Sequence, residues 1–172
     1  ASSTAGGSPG TANIANIVAN GSIVINEALT HTDVAGGDWI ELYNTTGSPI
    51  DIGGWFLSDT IDDLKKYQIA SGTTIAAGGY AVFTQDANFG LAAPDPGKLT
   101  GFGLSELGEN IFLSSGSGTN LSGGFSISED FGAATREVTF GRHTKSAMSG
   151  YGVDFVAMEN ATKGAANSAP LI

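Results

Sequence analysis

Residues Asp38–Asp59 read DWIELYNTTGSPIDIGGWFLSD. The first run, Asp38–Thr46, alternates. Ile40 and Leu42 fall on one side of an extended chain, and Trp39, Glu41 and Tyr43 on the other, because successive side chains of a strand point to opposite faces. Gly47-Ser48-Pro49 interrupts the run as a turn, since Gly and Pro supply the backbone angles that turns need. Ile50–Asp59 then resumes as a strand, with Gly53-Gly54 marking a bulge or sharp bend.

Working outward, similar short segments recur. Ser22–Thr30 (SIVINEALT), Tyr67–Ala70, Tyr80–Thr84 and Asn110–Ser114 read as strands, and further strands are expected at Gly124–Ser128, Glu137–Gly141 and Asp154–Met158. Thr60 with Asp63 three residues on resembles a capping box, so Thr60–Lys66 is expected to form one helical turn. Residues 85–101 read as a long surface loop and Thr162–Ile172 as coil. Many short strands separated by turn signals, with no helices of crossover length between them, predict an all-β sandwich of short antiparallel or mixed strands.

Composition agrees and excludes several functions. Gly accounts for 26 of 172 residues and charged residues for only 14%, where ~7% and ~25% are usual. Cysteine is absent, which removes disulfides and thiolate chemistry. Seven basic against 17 acidic residues give a net charge of −10. Such a surface repels phosphate backbones, so no nucleic-acid partner is expected. No apolar run approaches the ~20 residues of a membrane helix, so no membrane insertion is expected. The chain starts at Ala1, which reads as a mature or excised fragment of a multidomain protein. Residues 1–21, small and polar, are expected to form a flexible linker or strand extension, with Ile14, Ile17 and Val18 available to dock on the domain edge. Residues 22–168 are expected to form the domain and 169–172 a terminal coil.

The order IVINEAL, DWIELYNTT, SPIDIGGWFLSD, YQIASGTTIAAGGYAVF and FGLSELGENIFLSS resembles the lamin-tail domain, most closely in WIELYN followed by DIGGWFLSD. The resemblance covers residues 22–115. The closing segment, with Phe140-Gly141-Arg142 and Thr162-Lys163-Gly164-Ala165-Ala166-Asn167, is similar to the end of bacterial secreted members. Lys163 stands where that pattern has Pro. The resemblance implies an immunoglobulin-like β-sandwich serving as an accessory module of large secreted or cell-surface proteins.

Glu27, Glu41 and Asn44 are the most motif-like polar residues. A carboxylate pair binds cations or does acid–base chemistry, but the favoured reading is structural: carboxylates accepting backbone N–H groups and an Asn capping a turn. Gly54 and Trp55 join them as structural positions, Trp55 as a core residue. Trp39, beside Gly37 and Asp38, is expected at the surface, where a glycan would stack. Asp33 with Asp38, and Asp59 with Asp62 and Asp63, are the candidate calcium ligands; neither loop has EF-hand spacing. His31 and His143 would need distant carboxylates to complete a zinc site. Ser115-Gly116-Ser117-Gly118 lacks the helix of a nucleophile elbow. N-x-S/T triplets begin at Asn20, Asn44, Asn120 and Asn160 and matter only if a eukaryote secretes the chain. The expected function is therefore a non-catalytic interaction or spacer module with no cofactor, extracellular or on the cell surface. The alternative is a calcium- or carbohydrate-binding adhesion module.

Overall fold

The computed structural model describes residues 18–144 and 152–172. Ile14 and Ile17, and the rest of residues 1–17, lie outside the described residues, as do residues 145–151 of the closing segment.

The described chain is almost entirely strand. A five-stranded sheet has the order β11 (Val153–Ala157), β10 (Thr139–Thr144), β1 (Ile23–Leu29), β2 (Trp39–Asn44), β7 (Tyr80–Thr84). A four-stranded sheet has the order β5 (Tyr67–Gln68), β4 (Phe56–Ser58), β8 (Glu109–Ser117), β9 (Asn120–Phe131). The short strands β3 (Ile50–Asp51) and β6 (Thr74–Ile75) pair separately. Every strand pairing is antiparallel.

The two large sheets stack as a sandwich because each offers an apolar side. Ile25, Ile40, Leu42 and Phe83 from one sheet share a buried core with Leu57, Ile111, Leu113 and Phe125 from the other. Fully burying one such side chain stabilises the fold by about 1.5–3 kcal/mol. Trp55 is buried and packs on Phe125, with ring centroids 4.9 Å apart.

Three local expectations change. Ile50–Asp59 is two strands in different sheets, because the chain turns at Gly53-Gly54 and Gly54 takes a φ of 82°. A residue with a Cβ is strained there. Thr60–Lys66 is a pair of turns and not a helical turn. Thr60 Oγ1 accepts the Asp62 N–H at 3.3 Å and Asp63 Oδ1 accepts the Lys65 N–H at 3.1 Å, so each side chain bonds the backbone two residues on. The 85–101 loop contains a π-helical turn, Gln85–Phe89. It forms because Phe89 is pulled inward to stack on Phe102 at 4.6 Å.

Candidate functional site

The outer face of the five-stranded sheet holds the motif residues, and a single irregularity puts them there. The β1–β2 register shifts between Ile25 and Glu27. This bulge at Asn26 brings Glu27 directly opposite Glu41, while Ile25 still faces Leu42 and Ala28 faces Ile40. Two carboxylates side by side on a sheet repel each other, and both are fully buried. Such an arrangement persists only if donors surround it.

Those donors come largely from the chain's closing segment, which lies across the outer face. Glu27 Oε1 accepts the Thr139 hydroxyl at 2.6 Å, and Oε2 accepts the Thr162 hydroxyl at 2.7 Å. The Thr162 N–H sits 3.1 Å from both oxygens. Glu41 Oε1 accepts from Asn26 Nδ2 at 2.8 Å, and Oε2 accepts the Gly164 N–H. Burial still holds the Glu41 carboxyl above its ordinary range, with the Gly164 and Asn26 bonds pulling it back in part.

Asn167 closes the clamp. Its Nδ2 donates to the carbonyls of Asn26 and Arg142, each at 3.0 Å, and its Oδ1 accepts from Asn26 Nδ2 at 2.8 Å. Gly141, paired with Glu27 across β10, leaves the space: a Cβ there would stand 2.7 Å from Met158 and 2.9 Å from Asn167 Nδ2. Residues Thr162–Ile172 are thus irregular in conformation but bonded in place. The Leu171 N–H donates to the Ala157 carbonyl at 2.8 Å, and Met158 bridges to Pro170.

Trp39 departs from its expected place. Only 4% of it is exposed, because its outward-facing side is roofed by the closing segment, with Lys163 Nζ 5.3 Å from the ring centroid. A ring so covered offers no stacking platform to a glycan. Asn44 is buried at the other end of β2. Its Nδ2 lies within 2.8–3.1 Å of the Ser48, Ile75 and Ala76 carbonyls, and its Oδ1 accepts the Thr46 N–H at 3.0 Å. It ties the turn after β2 to the turn before β7.

The aspartates do not converge. Asp33 is exposed and pairs with Arg136 at 2.8 Å. Asp38 is buried and its Oδ2 accepts the Leu104 N–H at 3.0 Å; burial raises its carboxyl. Asp59 contacts Lys66 Nζ at 2.5 Å, and Asp62 and Asp63 are exposed. Among the described residues no three His, Asp or Glu side chains form a group able to hold a metal ion. His31 Nδ1 lies 3.1 Å from the Ala134 carbonyl and Nε2 lies 3.1 Å from Glu106. Ser115 Oγ accepts the Phe125 N–H at 3.0 Å within the β8–β9 hairpin.

One polar network was not visible in the sequence. The Tyr67 hydroxyl and Asn88 Nδ2 each donate to Asp95 Oδ2 at 2.9 Å, and the Gly97 N–H donates to Oδ1 at 2.8 Å. Burial pulls the Asp95 carboxyl up, but these bonds outweigh it and leave it below the ordinary range. Its members come from distant segments, and no spacing rule joins them.

A two-sheet antiparallel sandwich whose polar motif residues are spent on internal clamps defines an immunoglobulin-like domain. The sequence profile of the lamin tail domain matches residues 17–128. The chain belongs to that family, whose members are non-enzymatic, immunoglobulin-like protein-interaction domains. The match ends within β9, so the clamp residues Thr162–Asn167 lie beyond it. No curated protein and no solved structure matches the chain.

Proposed function

We propose that this chain is a non-catalytic module of a larger secreted or cell-surface protein, and that it takes an extended segment of a partner protein along the free edge of β9. The observation that carries this reading is the contrast among strand edges. β9 is 12 residues long and, among the described residues, pairs with β8 on one side only. It contains no Pro, Lys or Arg (NLSGGFSISEDF). Its two charges, Glu129 and Asp130, sit at its far end, where Glu129 pairs with Arg142 at 2.7 Å, so the stretch before them has none of the charged side chains that commonly protect an edge. By comparison β5 has two residues, and its flank is occupied where the Gln68 N–H donates to the Gly97 carbonyl at 2.7 Å and Leu99 to Lys66. The end of β11 is engaged by Leu171.

An unpaired edge offers backbone donors and acceptors to an incoming strand, with side-chain specificity from neighbouring pockets. A groove of about 800 Å³ opens beside the β8–β9 hairpin, lined in part by Pro49, Ile50, Trp55, Ser117 and Ser122. The net charge of −10 favours a basic partner. The non-catalytic reading is supported by the buried carboxylates Glu27 and Glu41, whose oxygens all accept hydrogen bonds from the chain's own groups.

A displayed library of random extended peptides panned against the domain tests this. Hydrogen exchange of the selected complexes is expected to protect residues 120–131. Protection confined to β7 or β11 would overturn the edge assignment. Fractionating cells that carry the full-length protein tests the location, and recovery in the cytosol would refute it.

A further inference from the structure

We propose that Lys66 and Asp59 are joined by an intramolecular amide (isopeptide) bond that forms spontaneously in the folded chain. The two side chains stand at the facing ends of adjacent strands. Asp59 follows β4 directly, Lys66 precedes β5 directly, and β4 pairs with β5. Lys66 Nζ lies 2.5 Å from Asp59 Oδ1, and the side chains are only 17% and 15% exposed. The contact lacks hydrogen-bond alignment: Asp59 Oδ1 is buried and has no aligned donor. The Phe102 ring lies 5.8 Å from Nζ and helps exclude water.

An ion pair this far withdrawn from water gives up much of its hydration, and its attraction returns that loss only where further hydrogen bonds complete it. Replacing both charges with one neutral amide removes that penalty. Holding amine and carboxyl in contact also raises their effective concentration by orders of magnitude, about 10⁵–10⁸ M in well-oriented cases.

The bond-making step balances without any co-reactant. A proton passes from the ammonium to the carboxylate, which frees the nitrogen lone pair for attack. The Nζ lone pair adds to Asp59 Cγ and the C–N bond forms. The C–O bond breaks, and the departing hydroxyl takes the second proton from nitrogen as water. One ammonium and one carboxylate become one amide and one water.

We assign the proton relay to Glu109, the first residue of β8, whose Oε1 also accepts the Ser105 N–H at 2.7 Å. It shares the inward-facing side of β8 with Ile111 and Leu113, and the charges of Asp59 and Lys66 both act on it. Burial holds its carboxyl above the ordinary range, so it carries a proton more readily than an exposed glutamate.

Intact-mass spectrometry of the denatured, purified chain tests the bond. The expected mass falls below the sequence mass by one water. Trypsin is expected to leave the bond after Lys66 uncut, and fragmentation to map the link to Asp59 and Lys66. Asp59→Asn changes the leaving group, so its deficit becomes one ammonia. Glu109→Gln is expected to restore the full mass while circular dichroism still reports folded β-sheet. A wild-type chain at full sequence mass would overturn the proposal whatever the variants do. A missing water mapped to another pair would overturn it equally.

Discussion

The two faces of the five-stranded sheet are built from alternate residues of the same strands, yet they are held by different forces. The inner face, with Ile25, Ile40, Leu42 and Phe83, is apolar and packs on the opposite sheet. The outer face, with Glu27, Trp39 and Glu41, is also buried, but under a closing segment fixed by hydrogen bonds to two carboxylates. Apolar burial is non-directional, so many side chains of similar volume would satisfy the inner face. Buried carboxylates require particular donors at particular places. The outer face therefore specifies the position of Thr162–Asn167 far more narrowly than burial alone would.

The largest effect is expected on the inner face. Leu42→Ala removes a fully buried side chain and should lower stability by about 2–5 kcal/mol. For a chain of this size each kcal/mol shifts Tm by roughly 2–4 °C. Chemical denaturation should show one cooperative transition moved to lower urea, with all regions lost together. If the closing segment released first, the assignment of Leu42 to the common core would be wrong.

Glu27→Ala comes next, at about 2–3 kcal/mol, because it strands buried hydroxyl and amide donors. Its expected pattern differs in kind. Hydrogen exchange should speed up at residues 160–168 before any change in β4 or β8, since the lost acceptor holds the Thr162 backbone. Uniform acceleration across both sheets would erase the proposed distinction between the faces.

The inner face was far easier to read from the sequence than the outer one. Alternation in DWIELYN put Ile40 and Leu42 together on one side of the strand, and the side-chain period of two does that without any tertiary information; the structure makes that side the inner one. The same alternation put Trp39 on the opposite side, but being on that side did not mean being exposed: only 4% of it is. The covering segment lies more than a hundred residues later, and its Thr, Gly and Asn read as coil because those residues favour turns. Asn26 gave no signal as a bulge. The helical turn expected at Thr60–Lys66 failed for a related reason: Thr and Asp side chains serve single turns as readily as helix caps. The Asp59–Lys66 contact, by contrast, depends on the β4–β5 pairing, which no local pattern shows.

Titration should separate the faces again, with a smaller effect. A carboxyl held above its ordinary range in the fold binds a proton before the unfolded chain does. Stability therefore rises as pH falls through the folded value, and the gain is complete below the ordinary ~4.3. Glu41, Asp38, Glu109 and Glu129 are all raised, chiefly by burial, while Asp95 alone is lowered and opposes them. Tm should climb as pH falls from neutral through the folded values of these raised carboxyls, and Glu41→Gln should flatten that slope. An unchanged slope would mean that Glu41 is ionised throughout and the outer face contributes nothing to it.

The smallest effect concerns the roof itself. Lys163 lies over Trp39 with its Nζ 5.3 Å from the ring centroid, and a cation so placed at an exposed site contributes about 0.5–1 kcal/mol. Lys163→Ala should cost about that much and alter Trp39 fluorescence. Lys163→Pro loses the same contact, yet a compatible proline returns about 0.4–1 kcal/mol by restricting the unfolded chain. The Ala165 N–H donates to the Thr162 carbonyl at 2.8 Å and Gly164 has a φ of 80°, the pattern of a type II turn with Lys163 at its second position, where proline is favoured. The proline variant should therefore unfold within a few tenths of a kcal/mol of the parent, about 0.3, and above the alanine variant in urea. If the proline variant fell below the alanine variant, the backbone at 163 would be incompatible with a proline φ. The lysine would then be required by the turn as well as by the tryptophan it covers.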